Sequence, residues 1–471
     1  MSARKIKCDL CVIGAGSAGL SVAAGAAQLG RKVVLIEKGE MGGDCLNYGC
    51  VPSKALIAAA AHAASMKEAA RFGVHGDPSI DFNAVIDHVH DVIAAIEPND
   101  SQERFEGLGV TVIRAAAAFA GPRTLIAGDA EVSAKHFVIA TGSSPVIPDI
   151  PGLGDVPYFT NETIFDNRTL PEHLIIVGGG PIGCELAQAF ARLGSKVSLV
   201  EQTTILNRED GDAVALLRAR LGQEGVALHE GAAVKRVSAT ANTINVEIGA
   251  GAPRQGSHLL VAVGRRANVE GLALDNAGVA TTQKGVDVDA RLRTANKRIY
   301  AIGDVTGGKQ FTHVAGDHAS TVVRNILFKM PAKRRDHLAP QVTYTAPEIA
   351  SIGMTPDAAL KDIAGARLVR WSLVENDRAQ AERATDGFIK VATDRKGRIL
   401  GATIVGENAG DLIQPWAFAY ANKLPIRAFT NYIAPYPTKG EISKRAAGAW
   451  YTPTLFSDRT RAFVRLLALF D

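Results

Sequence analysis

Apolar and polar positions sort the chain into short buried runs and longer periodic stretches. Cys8-Asp9-Leu10-Cys11-Val12-Ile13, Lys32-Val33-Val34-Leu35-Ile36, Leu174-Ile175-Ile176-Val177 and Val197-Ser198-Leu199-Val200 are each followed directly by glycine or glutamate. Runs this short, rich in β-branched side chains, predict strands buried on both faces. Similar runs at 110–113, 137–139 and 299–302 predict three more. The alanine-rich residues 55–70 and the stretch 82–96, with apolar positions at roughly helical spacing, predict two long helices. His62, His88 and His90 in these stretches read as surface or packing residues. Pro148, Pro151 and Pro157 mark a linker. From Gln341 the texture changes to strands at 342–345, 388–392 and 400–405, a turn at 394–397 and a helix at 412–421. Strands alternating with helices before that point predict an α/β fold.

The first strand runs into Gly14-Ala15-Gly16-Ser17-Ala18-Gly19, and the second ends at Glu37. Glycines at these positions let the backbone approach a pyrophosphate, which rests on the helix N-terminus, while the acid takes ribose hydroxyls. A lone GxGxxG is weak, but here strand, helix, strand and acid are all present. The arrangement recurs. Gly178-Gly179-Gly180-Pro181-Ile182-Gly183 follows the third strand, and Glu201 closes the fourth. Gly14, Gly30, Lys32 and Glu37 map onto Gly178, Gly194, Lys196 and Glu201 by one offset of 164 residues. This is an internal duplication at domain scale, so two Rossmann-like folds and two dinucleotides are expected. A hydride carrier beside a flavin is the simplest reason to hold both.

A chain of 471 residues suggests about three domains. Its net charge of +4 is too small to argue for nucleic acid, and no stretch reaches the length of a membrane span. Residues 1–20 mimic a signal peptide, but the apolar run leads into the glycine turn and is better read as a strand. The expected location is therefore cytoplasmic. Five cysteines are too few for a disulfide scaffold. Cys8 and Cys11 lie three apart on the first strand, so they are expected on opposite faces, as structural thiols.

Cys45 and Cys50 lie five apart in Met41-Gly42-Gly43-Asp44-Cys45-Leu46-Asn47-Tyr48-Gly49-Cys50-Val51-Pro52-Ser53-Lys54. Five positions on a regular helix turn through about 500°, leaving the side chains roughly 140° apart. A bridge therefore needs an irregular turn, which Gly49 allows. From Val51 the chain reads as a helix start, with Pro52 suited to its first turn. A cysteine there feels the positive helix end, which favours its thiolate. The spacing alone leaves open two inert thiols or half of a metal site. Position just after a nucleotide fingerprint favours a redox pair, and no metal centre is expected.

The stretch resembles the active-site segment of the flavoprotein disulfide reductases, the family of dihydrolipoamide dehydrogenase, glutathione reductase and mercuric reductase. Asp44 departs from the threonine common there. The resemblance covers nearly the whole chain. It implies two Rossmann-like dinucleotide-binding domains plus a C-terminal α+β dimerisation domain: FAD-binding 1–148 and 282–340, NAD-binding 149–281, and interface 341–471. It implies an NAD(P)H-dependent flavoprotein disulfide oxidoreductase acting as a homodimer, with the active site shared between subunits. A disulfide takes electrons from a flavin more readily than from nicotinamide, so FAD is assigned to the first fold. Its expected contacts are Gly14, Gly16, Ser17, Ala18, Gly19, Glu37, Lys38, Gly43, Asp44, Cys45, Lys54, Ala117, Thr141, Gly142, Ser143, Gly303, Asp304, Thr312 and His313. Asp304 matches the family's ribityl ligand, and Thr312-His313-Val314-Ala315 its segment under the flavin ring. The second fold is assigned NAD(H), through Gly178, Gly180, Pro181, Ile182, Gly183, Glu185, Glu201 and Gly264. Glu201 would repel a 2′-phosphate, and Gln202, Thr203 and Thr204 offer no cation to rescue one, so NADP(H) is disfavoured. By the same resemblance Cys45 is the interchange thiol and Cys50 the charge-transfer thiolate, linked as a redox-active disulfide. Lys54 and Glu185 match the family's ion pair near flavin and nicotinamide.

The family's disulfide reductases protonate the leaving thiolate with a histidine followed by a glutamate. The matching stretch here is Tyr436-Pro437-Thr438-Lys439-Gly440-Glu441, and no histidine follows His337. Tyrosine, with an ordinary pKa near 10, is a poor acid–base at neutral pH. Tyr436 with Glu441 therefore replaces an expected catalytic dyad. A tyrosine there looks like mercuric reductase, yet Cys184 is the last cysteine, so the C-terminal pair that passes metal inward is missing. The expected acceptor is a metal ion, a quinone, or a small-molecule or protein-bound disulfide. The alternatives are a dihydrolipoamide dehydrogenase with Tyr436 in its relay, or a redox sensor with negligible turnover. The tail, with Arg459, Arg461 and Arg465 among Phe463, Leu466, Leu467 and Leu469, is amphipathic. Packing on its own body or on the second subunit is expected ahead of docking on a membrane.

Overall fold

A computed structural model of the chain describes residues 4–241, 243–249 and 252–470. They group into two compact units, residues up to 204 with 225–336, and 205–224 with residues from 337 on.

In the first unit, Arg4–Ile13 is the central strand of a seven-stranded sheet. Val33–Glu37 and Ala130–Ile139 flank it in parallel. Thr111–Arg114 extends one side in parallel. Beyond Ala130–Ile139, the antiparallel strand Thr124–Ala127 pairs with its beginning and the parallel strand Ile299–Ala301 with its end. Alternation sorts the side chains. Leu10, Val12 and Leu35 face the helices Ser17–Gln28 and Thr312–Ile326, and Cys11, Ile13, Val34 and Ile36 face a second core with Phe119 and Phe137. Cys8 breaks the expected parity. It lies in the same core as Cys11, because the strand is irregular at Asp9, where the amides of Asp9 and Leu10 both donate to the Lys32 carbonyl. Burial pushes the Cys8 thiol up to about 12 and Cys11 well up too.

The duplicate sheet runs Val226–His229, Lys196–Val200, His173–Val177, His258–Val261, all parallel. Of the two long helices, one is Cys50–Glu68. The other is Phe82–Ile96, started by Asp81, whose carboxylate accepts from the Ala84 amide at 3.2 Å.

The second unit holds a five-stranded antiparallel sheet, ordered 341–343, 348–353, 399–406, 388–393, 367–372. Thr345 lies beyond the first strand, and strands 348–353 and 367–372 went unread in the sequence. The expected helix at 412–421 is instead two, Ala409–Leu412 and Gln414–Ala421, because Pro415 opens a new first turn. Residues 205–224 join this unit through Lys390. Its buried ammonium lies 2.9 Å from both Asp210 carboxylate oxygens and 2.8 Å from Asp212. The tail helix Asp458–Leu467 has no buried residue, so the expected packing on its own body does not occur.

Candidate functional site

The two glycine turns are nearly superimposable in their constraints. Gly14 and Gly178 sit at φ +104° and +112°, and a Cβ on either would lie 2.3 Å from a backbone carbonyl, of Ala140 and Ala262 respectively. A Cβ on Gly19 or Gly183 would lie 1.9 Å from the carbonyl oxygen of Gly14 or Gly178. Only glycine fits at these four positions. The acids are spent alike. Glu37 accepts from the amides of Ala15 at 2.6 Å and Gly39 at 2.7 Å, and Glu201 from those of Gly179 and Thr203, both at 2.8 Å. The helices that follow, Ser17–Gln28 and Pro181–Arg192, begin at Gly16 and Gly180 without a side-chain cap. Their first-turn amides thus suit the pyrophosphates of two dinucleotides. Ser17 and Ala18 lie in the first of these turns, Ile182 in the second, and Lys38 is exposed beyond Glu37.

The first turn alone carries an appendage. Gly42 bridges to Gly16, and a Cβ on Gly43 would lie 2.8 Å from the Gly16 Cα. The short helix Gly43–Asn47 then carries Cys45, and after Tyr48 and Gly49 the helix Cys50–Glu68 opens with Cys50 itself. This break is the irregular turn the spacing demanded. Gly49 permits it by closeness, since a Cβ there would meet the Asp44 carboxylate at 2.8 Å. Both cysteines are thiols. The Thr312 hydroxyl lies 3.2 Å from the Cys45 sulfur and 3.6 Å from that of Cys50. The Cys50 thiol is held down at about 6, first by its hydrogen bond from Cys45 and then, against burial, by Thr312 and Lys54. Cys45 is pushed up by the same hydrogen bond and by burial. The charge of the pair therefore rests on Cys50, at a helix N-terminus where it is favoured.

Lys54, one turn further along, reaches Glu185 of the second fingerprint helix at 2.7 Å, with Glu185 almost fully buried. His313 follows Thr312, its ring stacked on Phe311 at 5.2 Å. On the other side of the cysteines a polar chain runs through the unit. Asp44 pairs with Arg265 at 2.8 Å and accepts from Asn161 at 3.2 Å. Arg265 also donates to the Asn161 side-chain oxygen at 3.2 Å, and to the Ser143 hydroxyl and carbonyl at 2.9 and 2.7 Å. The Ser143 hydroxyl in turn donates to Asp304 at 2.7 Å. Burial raises the Asp304 carboxyl, with Ser143 and Arg265 opposing. The short strands Ser143–Pro145 and Arg265–Ala267 pair antiparallel, and Asn268 ties the two ends by accepting from the Thr141 hydroxyl and donating to the carbonyls of Thr141 and Gly142. Gly303 and Gly264 take positive φ in the turns beside them. Ala117 buries its side chain in the core, leaving only its backbone for a ligand. Sequence reasoning missed Arg265 and Asn161. Arg265 directly follows Gly264, an expected nucleotide contact, but nothing local marks Asn161.

In the second unit the Tyr436 hydroxyl donates to Asp377 at 2.9 Å, which raises its already high pKa. Glu441 pairs instead with Arg445 at 2.8 Å. Among the described residues no hydrogen bond joins Tyr436 to Glu441, and Asp377 was not foreseen.

The family profile described as pyridine nucleotide-disulphide oxidoreductase matches residues 8–319, and that of its dimerisation domain residues 339–447. The chain is 38% identical over 453 residues to a mercuric reductase of Streptomyces lividans, covering 93% of this chain and 95% of that one. It is 33% identical over 459 residues to a dihydrolipoyl dehydrogenase of Chlamydia muridarum, covering 93% and 96%. Among solved structures, LpdA of Mycobacterium tuberculosis matches with TM-score 0.87 at 28% identity, over 94% of this chain and 99% of that one. The Cu(II) complex of the HOCl-induced flavoprotein disulfide reductase RclA of Escherichia coli matches with TM-score 0.85 at 28% identity, over the same shares. The dimerisation domain supports a homodimer. With the profile spanning more than half of its length and such relatives along nearly all of it, the chain belongs to the pyridine nucleotide-disulphide oxidoreductases, whose members carry FAD and use NAD(P)H.

Proposed function

We propose that this enzyme passes electrons from NADH through FAD to the Cys45–Cys50 pair, and from there to an acceptor other than a simple thiol-linked disulfide. The observation that carries this reading is geometric: Cys45 and Cys50 share the Thr312 hydroxyl at 3.2 and 3.6 Å beside the Lys54–Glu185 pair, while Tyr436 stands where the family's histidine would and is held by Asp377. The glycine cradle of Gly14, Gly16, Gly19 and Gly43, with the uncapped amides of Ser17 and Ala18, fits the FAD pyrophosphate. Glu37 would take ribose hydroxyls and Asp304 the ribityl chain, with Lys38, Ala117, Thr141, Gly142, Ser143, Thr312 and His313 around the cofactor. The turn at Gly178–Gly183, with Glu185, Glu201 and Gly264, would hold the nicotinamide nucleotide, and Glu201 disfavours a 2′-phosphate. The four-segment division at 148, 281 and 340 follows from this assignment.

Bound FAD would supply hydride acceptance from NADH and delivery of the electron pair to the disulfide. On reduction the Cys45–Cys50 bond breaks, Cys50 keeps the negative charge, and Cys45 takes a proton. Transfer of the two electrons to the acceptor reforms the bond and releases that proton. Lys54, on the turn after Cys50, steadies its thiolate, and Glu185 fixes the ammonium. Tyr436, raised further by Asp377, is not a usable acid–base at neutral pH. Soft metal ions, which need no protonated leaving thiolate, head the acceptor classes, followed by quinones and protein-bound disulfides. Anaerobic titration with NADH tests the reading. A broad long-wavelength band at the two-electron stage, lost in Cys50→Ser, is expected. Bleaching of the flavin without that band would take the cysteines out of the circuit.

One observation favours a second reading. The bond to Asp377 fixes the Tyr436 hydroxyl, and relatives include dihydrolipoyl dehydrogenases. Strong NAD-dependent oxidation of dihydrolipoamide, abolished by Tyr436→Phe, would establish that activity instead.

A further inference from the structure

The family match ends at residue 447, but the chain continues. The helix Glu441–Leu455 runs out past it, Ser457 caps a new start by accepting from the Thr460 amide, and Asp458–Leu467 forms a final helix. Nothing in that helix is buried. Leu455, Phe456, Phe463, Val464, Leu466 and Leu467 are all exposed, and beyond the helix Leu469 and Phe470 reach 78% and 83% exposure. Apolar surface on this scale in one segment marks an interaction site.

The segment is strongly sided. At about 100° per residue, Phe463, Leu466 and Leu467 share one face, and Arg461 and Arg465 lie opposite. Arg459 sits in the first turn on the apolar side, where its long stem lets the guanidinium reach a polar layer. Within Asp458–Leu467 three arginines face one acid, and among the described residues Arg459 and Arg465 form no ion pair. A helix of about 15 Å cannot cross a bilayer, and no described helix is long and apolar enough to do so. Low overall apolarity, a sharp apolar face and a cationic opposite face define a helix that lies in a lipid interface. A protein partner built for the same face would need its own acidic groups, whereas an anionic lipid surface meets both faces at once.

We propose that residues 455–470 seat the enzyme on an anionic membrane surface, with Phe463, Leu466, Leu467 and Phe470 in the acyl boundary and the arginines among the headgroups. The dimerisation segment matched by the family ends at residue 447, before this helix begins. Such seating is independent of the acceptor.

Flotation of the full-length, FAD-loaded protein with vesicles tests it. The protein is expected to float with mixed phosphatidylcholine and phosphatidylglycerol, not with phosphatidylcholine alone, and to be released by high salt. Each arginine contributes about five-fold in partitioning, so Arg459→Gln with Arg461→Gln and Arg465→Gln should cost about a hundred-fold. Phe463→Ser with Leu467→Ser should release the protein as well, with NADH oxidation and solution mass unchanged. Failure to float with either vesicle overturns the proposal, as does equal flotation with both. A fall in solution mass in the serine variant also overturns it, because a second copy of the chain would then cover the face.

Discussion

The two nucleotide folds are the same device with different attachments. Gly14, Gly19 and Glu37 do in the first what Gly178, Gly183 and Glu201 do in the second, down to the 1.9 Å approach that bars a side chain at Gly19 and Gly183. What differs is what is packed on top. In the first fold Gly43 lies against Gly16 and anchors a helix carrying Cys45, while from the second fold Glu185 reaches back to Lys54. The two cradles match in their constraints, and the cysteine pair stands beside one of them. The cradle therefore says that a dinucleotide binds, and the attachment says what is done with its electrons.

The largest expected effect removes the attachment alone. Cys45→Ser and Cys50→Ser should each lower acceptor turnover about a thousand-fold or more, because exchange needs both sulfurs. Rapid reduction of the flavin by NADH should persist, since the second cradle is untouched. Next comes a matched pair. Gly19→Ala and Gly183→Ala force a Cβ against a backbone carbonyl, a cost of about 1–3 kcal/mol or more. Gly19→Ala should yield protein that has lost its flavin absorbance. Gly183→Ala should stay yellow while its KM for NADH rises about ten- to a hundred-fold. If both variants lose flavin, the assignment of one nucleotide to each cradle is wrong.

Much of this was legible in the sequence because the cradles are local. Gly14, Glu37, Gly178 and Glu201 each act within one strand–turn–helix unit, where spacing and residue type carry the constraint. The irregular turn at Gly49 was legible for the same reason. Asn161 and Arg265 were not, since they meet Asp44 across more than a hundred positions of chain. Strand 367–372 lies at the edge of its sheet and spaces Arg367 and Arg370 three apart, so it shows no period-two alternation and also suits a surface loop. The parity error at Cys8 came from one irregular residue, Asp9, which no periodicity rule registers.

Smaller effects refine the comparison. Glu201→Gln keeps an acceptor for the amides of Gly179 and Thr203 but removes the charge facing a 2′-phosphate. It should narrow the preference for NADH over NADPH about ten-fold in kcat/KM, while Glu37→Gln should leave that ratio unchanged.

The smallest effect concerns the proton on Cys50, and here sign matters more than size. A thiol lowered from its usual range near 8.5 to about 6 is mostly ionised at neutral pH and becomes protonated as pH falls through about 6. The long-wavelength band should therefore be full above pH 7 and fade below pH 6. Thr312→Val removes a hydroxyl that favours the thiolate, so the midpoint should rise. Asp44→Thr removes a carboxylate that opposes it, so the midpoint should fall, even though the same change leaves Arg265 with only Ser143 and Asn161 and costs about 1 kcal/mol of stability. Both substitutions lie within the first fold's attachment, and a pH titration of the band separates them by direction alone. A common direction would mean that the cysteine charge is set by the helix end and not by its neighbours. Opposite directions would make Asp44, the family departure, a brake on the thiolate that Lys54 and Thr312 stabilise.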